Sequence, residues 1–207
     1  MAAQPASSAD IDFYFDFSSP YGYFAATRID ELAAKYGRKV KWHPVLLGVV
    51  FKHSGAAPLT MVPLKGEYSL HDFQRTARFH GIAFNFPSVF PIASQHAARA
   101  VLWLQANAGE DKARAFAKAA YRAFFVDNKD ISDLANLQAV MAQEGLDVAQ
   151  LTEAINQPAI KEQLKQEVEQ AIARKVFGSP YIIVDGEPFW GFDRFDQLEA
   201  TLKSGKI

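Results

Sequence analysis

Apolar and polar residues alternate over residues 11–17, where Ile11, Phe13, Phe15 and Phe17 are separated by Asp12, Tyr14 and Asp16. That period of two predicts a strand. Ser19-Pro20 ends it. Serine is a favoured helix N-cap, and proline fits the first helical position because the N–H it lacks has no partner there. Tyr23, Phe24, Ala26, Ile29, Leu32 and Ala33 then fall at helical spacing, which predicts a helix over 21–36 stopped by Gly37. Residues 40–47 read as a second strand ending near Pro44. Strand, helix and strand without a tight hairpin imply a parallel unit.

The middle of the chain has a different pattern. Residues 48–65 are broken by Gly48, Gly55, Pro58 and Pro63 and read as loop, with room for one short helix. Helical patterns follow over 70–81, 94–108, 111–125, 132–144 and 148–156, and residues 84–91 form an aromatic loop punctuated by Pro87 and Pro91. Pro158 opens a further helix. Ile160, Leu164, Val168, Ile172 and Val176 stripe one face of it, and Gly178 is the expected stop. Residues 181–184 and 188–190 read as strands around Asp185-Gly186, a two-residue hairpin signal. A helix over 192–202 closes the chain. The fold class expected is α/β: a thioredoxin-like sheet (βαβ…ββα) interrupted by a large all-α insertion. The boundaries expected are a flexible tail over 1–9, a thioredoxin-like domain from 10–47 and 176–207, and an inserted helical domain over 48–175.

Composition narrows the chemistry. The chain has 207 residues, 49% of them hydrophobic, which is enough for a core without staples. Its net charge of -1 gives no general attraction to nucleic acid or to an anionic membrane. There is no cysteine, so disulfides, thiolate metal sites and dithiol redox chemistry are all excluded. Residues 19–22 read Ser-Pro-Tyr-Gly, and the chain has no Cys-x-x-Cys. The histidines (His43, His53, His71, His80, His96) show no metal-ligand spacing. No apolar run reaches membrane-spanning length. Residues 1–9 lack the basic start and apolar run of a secretory signal, so a cytoplasmic protein is expected.

Ser19 places a hydroxyl where a strand hands over to a helix start, a place suited to an anion. On the dipeptide alone, an ordinary N-cap is the simpler reading. Asp12 and Asp16 are candidate carboxylates, but their alternation with phenylalanine favours polar-face or buried hydrogen-bonded roles. The 17 phenylalanines serve either an aromatic core or an apolar ligand pocket.

Segments spread along the chain carry a resemblance. They are Phe15 to Tyr21 (Phe-Asp-Phe-Ser-Ser-Pro-Tyr), residues 46–55, Val62 to Tyr68, Val176 to Pro180, and Trp190 to Arg194, in that order. The chain resembles the 2-hydroxychromene-2-carboxylate isomerases and the similar kappa-class glutathione transferases, both DsbA-like thioredoxin folds with a helical insertion. The resemblance covers about residues 10–203. It implies glutathione as cofactor, a small aromatic substrate and a homodimer. It makes Ser19 the catalytic residue, donating a hydrogen bond to the glutathione sulfur. A free thiol, with a pKa of about 8.5, is only slightly ionised at neutral pH, so such a donor favours the reactive form. Ser18 is the neighbouring alternative.

Ser179-Pro180 resembles a cis-proline loop whose Ser179 backbone pairs with the cysteinyl unit. Phe192, Asp193 and Arg194 match the segment that holds the γ-glutamyl end, with Asp193 facing its ammonium group. Phe192 stands where a small polar residue is usual, so a side-chain contact is expected to be lost. Lys65 matches a lysine that faces a carboxylate. Ala56 replaces a frequent asparagine. Tyr21, Phe51, Phe86 and Trp190 are the expected walls of the substrate pocket. The activity implied is reversible thiolate addition, rotation about the resulting single bond, and elimination, in the catabolism of aromatic compounds. A kappa-like transferase and a non-catalytic thioredoxin-like binding protein are the alternatives.

Overall fold

The computed structural model describes residues 9–207. Apart from Ala9, the predicted tail lies outside the described residues. β1 (Ile11–Phe15) and β2 (Val40–Pro44) are parallel, β3 (Tyr181–Val184) runs antiparallel to β1, and β4 (Glu187–Trp190) antiparallel to β3. The sheet order is β2-β1-β3-β4. The hairpin turns at Asp185 and Gly186, both at positive φ, as a two-residue turn of this type requires. The C-terminal ends of β1 and β4 therefore share one sheet edge with the start of β3. Seven α-helices lie between β2 and β3 in the chain. The sheet is thus the mixed four-stranded one expected of a thioredoxin-like fold, with that helical block inserted after β2.

Several boundaries differ from those the pattern predicts. The helix expected over 21–36 is two: α1 (Pro20–Ala26) and α2 (Ile29–Lys35). The break falls at Thr27, whose hydroxyl donates to Phe24 O at 2.7 Å and so satisfies a carbonyl at the end of α1. Residues 47–54 are helical, as α3 (Leu47–Ser54), and a 3-10 turn covers Leu59–Met61. α4 (Lys65–His80) begins well before residue 70 because Leu64 reverses the chain at φ 66° and a bond from Lys65 N to Pro63 O closes a tight turn. α5 (Gln95–Asn107), α6 (Glu110–Phe125), α7 (Leu134–Gln143) and α8 (Val148–Ala154) match the predicted helices closely. α9 (Pro158–Ala173) stops short of Gly178, with Lys175 in the left-handed region. The last helix is a 3-10 turn at Phe192–Arg194 followed by α10 (Phe195–Ser204).

One apolar cluster joins sheet and insertion. Phe13, Phe15 and Trp42 pack with Phe116, Tyr121 and Phe124 of α6, all nearly inaccessible. On the opposite sheet face Tyr14 and Tyr181 meet Ala171 of α9. Among the described residues no helix is long and apolar enough to cross a membrane.

α9 is held to the sheet by a charged cage. His43 on β2 lies between Asp12 (2.9 Å) and Glu167 of α9 (2.6 Å), stacked on Tyr14, while Arg174 reaches Asp12 at 2.7 Å. Burial works against charge on His43, but the bonds from Asp12 and Glu167 outweigh it and hold the imidazolium up to about 9. Burial likewise opposes charge on Asp12, and His43 and Arg174 overcome it, taking the carboxyl down to about 2. Below pH 6.5 the imidazole is protonated folded or unfolded, so its stabilisation is complete. Between 6.5 and 9 the unfolded chain has lost the proton that the folded chain keeps, and stability falls by up to about 1.4 kcal/mol per pH unit. The Asp12 contribution is present above about 4 and lost as pH falls through about 2. We expect the parent to lose several degrees of Tm between pH 6.5 and 9.5 that a His43→Gln variant does not lose. Parallel melting curves of the two would contradict the cage.

Candidate active site

β1 delivers its last residues to the sheet edge, and the chain turns there before α1. Asp16, Ser19 and Ser179 form a closed ring of hydrogen bonds at that turn. Ser19 N donates to Asp16 O at 3.0 Å. Asp16 N donates to Ser179 Oγ at 3.0 Å. Ser19 Oγ donates to Ser179 O at 2.8 Å while accepting from Gly22 N at 3.0 Å, so Ser19 is both the N-cap of α1 and a donor across the sheet edge. Ser19 and Ser179 are 5% and 8% exposed, so these bonds form largely out of water.

The Ser179-Pro180 peptide is cis, and Pro180 O accepts from Gly191 N at 3.1 Å. The proline loop is thereby tied to the turn that begins Phe192–Arg194. Tyr121 of α6, fully buried, donates to Asp16 O at 2.9 Å. Burial pushes its phenol well up, so it stays a neutral donor. Gly22 lies where these groups converge. A β-carbon there would stand 2.6 Å from Ser179 Oγ and 2.9 Å from the Tyr121 hydroxyl.

Asp16 itself is buried, at 3% exposure. Its Oδ1 accepts from Ser18 N (2.8 Å) and Ser94 Oγ (2.7 Å), and its Oδ2 from Leu47 N (2.6 Å) at the first residue of α3. Among the described residues it has no ion-pair partner, and burial raises its carboxyl despite these donors. Of the two roles the sequence left open, polar-face or buried and hydrogen-bonded, the structure gives the second, at a place beside Ser19 that the sequence did not indicate. Sequence reasoning missed Tyr121 and Ser94 altogether. Those contacts span 105 and 78 residues, and no local pattern signals them.

The predicted site residues divide into groups. The Ser19 hydroxyl bonds to Ser179 O, next to Pro180, whereas the Ser18 hydroxyl accepts from Ile92 N at 3.1 Å. Asp193 is exposed and folds back over Gly191, and Arg194 pairs with it at 3.2 Å. The Phe192 ring is buried against Phe24, His80 and Phe195, so, in keeping with the expected loss of a side-chain contact, it can offer a ligand only its backbone. Lys65 is exposed at the start of α4, with no ion pair to another described residue.

The pocket walls separate likewise. Trp190 is 56% exposed at the same sheet edge as Ser19, its ring lying over Gly178 and against Phe177 (4.9 Å). Tyr21 packs on Phe73, and its hydroxyl donates to Asp72 of α4. Burial and that carboxylate both push the Tyr21 phenol up. Phe86 stacks on Phe73 and leans on Phe90, so its ring is part of an aromatic chain leading back to Tyr21. Phe51 is half-buried on α3, with no ring contact to another described aromatic residue. A separate cleft lined by Arg28, Glu31, Lys35, His80 and Phe192 does not include Ser19.

The chain matches the DSBA-like thioredoxin domain over residues 10–203. It is 33% identical over 195 residues to the 2-hydroxychromene-2-carboxylate isomerase of Sphingobium xenophagum, covering 93% of this chain and 97% of that one. It belongs to the 2-hydroxychromene-2-carboxylate isomerase family. A solved 2-hydroxychromene-2-carboxylate isomerase superposes with a TM-score of 0.84 at 29% identity, covering 94% of this chain and 95% of that one. Glutathione S-transferase kappa 1 of Caenorhabditis elegans is 28% identical over 204 residues, covering 93% and 90%. The isomerase family is thus one of enzymes with kappa-class transferases as relatives.

Proposed function

We infer that this protein is a glutathione-dependent cis-trans isomerase of the 2-hydroxychromene-2-carboxylate type. The observation that carries the reading is the Ser19 hydroxyl, buried and 2.8 Å from the carbonyl before a cis-proline, in a chain without cysteine. The donor set suits the tripeptide: a hydroxyl for the sulfur, the Ser179 backbone for the cysteinyl unit, Asp193 for the ammonium group and Lys65 for a carboxylate. When bound, glutathione supplies a thiolate that adds to a conjugated carbon and leaves it again.

The chain's own residues prepare that chemistry. The Ser19 hydroxyl carries one proton, which now points to Ser179 O. It turns to the sulfur, and Ser179 O is left to accept from the cysteinyl amide. One rotation therefore exchanges an internal bond for two bonds to the ligand. Asp193 and Lys65 fix the ends of the tripeptide, and Trp190 with Phe177 offers an aromatic shelf beside Ser179. The remaining task is orientation and charge stabilisation in a site sheltered from water.

Calorimetric titration with glutathione, followed by product analysis, tests this. Binding with rearranged substrate and unchanged glutathione supports the isomerase. A stable thioether would favour a kappa-like transferase, the reading that similarity to the Caenorhabditis elegans enzyme keeps in view. No binding at millimolar glutathione would reject both. Asp193→Ala is expected to weaken glutathione binding about tenfold while leaving kcat within about threefold, because the contact is made equally before and during the reaction. Loss of kcat at unchanged affinity would remove Asp193 from this role. Family membership further supports a homodimer, to be read as a species of twice the chain mass in sedimentation.

A further inference from the structure

Asp16 is the most connected residue of the site, and the chemistry above gives it no role. Its three side-chain bonds come from three segments: the turn at Ser18, the start of α3 at Leu47, and the start of α5 at Ser94. Its backbone supplies the bonds to Ser19 N, Tyr121 Oη and Ser179 Oγ. We propose that Asp16 is the positioning residue of the Ser19 site, its carboxyl pinning the β1–α1 turn to α3 and α5 so that the Ser19 hydroxyl and the Ser179 carbonyl face a bound thiol. This rests on the glutathione reading of Ser19.

The donor pattern makes the carboxyl specific. Both oxygens face N–H groups, Oδ1 that of Ser18 and Oδ2 that of Leu47. An asparagine must turn its amide NH2 toward one of them, placing donor against donor whichever way it flips. A protonated aspartic acid avoids this, because its O–H on Oδ1 can be given to Ser94 Oγ while both N–H bonds remain. Only a carboxyl, charged or neutral, holds all three segments. Burial without an ion pair is tolerated for the same reason.

Two possible roles for Asp16 predict opposite signs. If Asp16 acted only as a buried charge, Asp16→Asn would remove repulsion and lower the pKa of a thiol bound at Ser19. If it positions Ser19, the same variant misdirects the hydroxyl, and that pKa rises toward the free value of about 8.5. A residue that served only folding would move neither the thiol pKa nor the split between kcat and KM.

The experiment is a pH titration of bound glutathione by ultraviolet thiolate absorbance, with kcat and glutathione affinity, on the parent, Ser19→Ala, Asp16→Asn and Ser94→Ala. Asp16→Asn is expected to raise the thiol pKa and lower kcat about tenfold to a hundredfold, with affinity within about threefold. Ser94→Ala keeps the carboxyl and removes one anchor, so a smaller shift of the same sign is expected. It carries the test alone if Asp16→Asn does not fold. A lowered or unchanged thiol pKa in these variants, with Ser19→Ala raising it, would overturn the role of Asp16 and leave that of Ser19 intact. An unchanged pKa in Ser19→Ala would instead sink the glutathione reading itself.

Discussion

Ser19→Ala should lower the rate of the isomerisation proposed above by about a hundredfold to a thousandfold at neutral pH, the usual consequence of deleting one donor to a developing or bound anion. The effect should also carry a pH signature. Without the hydroxyl, a bound thiol returns toward the ordinary value of about 8.5, so only a few per cent is ionised at pH 7. The variant should therefore recover activity as pH rises toward 9, while the parent stays nearly flat over the same range. Stability changes less. The lost N-cap of α1 amounts to about 1 kcal/mol. A modest fall in Tm with a large, pH-dependent fall in kcat thus separates chemistry from folding. Equal rates in variant and parent at pH 7 would show that Ser19 only caps a helix.

Gly22→Ala is the second large effect, and its sign is the reverse of the usual one. Replacing a helical glycine by alanine normally stabilises by about 0.5–1 kcal/mol. Here the new methyl would meet Ser179 Oγ at 2.6 Å, the Tyr121 hydroxyl at 2.9 Å and Ser19 Cβ at 3.1 Å. None of these can yield freely. Ser179 Oγ is held by Asp16 N, Tyr121 is fully buried, and Ser19 is bonded on both sides. Overpacking of this kind destabilises by about 1–3 kcal/mol, which outweighs the helical gain. It also spreads Ser19 away from Ser179, so activity should fall by about a hundredfold. Melting temperature and kcat should drop together. A variant more stable than the parent would mean that the three side chains are not packed as described.

The strands and the hairpin were legible because each has a local cause. Phenylalanines alternate along β1, and Asp185-Gly186 suits a two-residue turn. Helix ends were less legible where a single bond decides them. At the break after α1 the Thr27 hydroxyl and N–H both bond to Phe24 O, and α4 starts early where Leu64 adopts a positive φ, which no propensity predicts for leucine. At the site, Ser19 and Ser179-Pro180 were readable as motifs that fall together. Asp16 was readable as buried but not as central, because Leu47 and Ser94 reach it from distant segments. Phe192 was legible by its chemistry alone. A phenylalanine where a small polar residue is usual implies a lost side-chain contact, and packing against Phe24 and Phe195 turns the ring inward.

The strand order has a consequence for how the protein is made. β1 lies between β2 and β3, and its second edge pairs with residues 181–183, beyond the whole helical block. During synthesis the most phenylalanine-rich strand therefore waits, half-paired, while the whole helical block leaves the ribosome. A transcript truncated before residue 181 would yield a product with that edge permanently open, a template for association with other chains. Docking of β3 closes this edge and brings Ser179 to Ser19, so a chain able to form that contact has also covered β1.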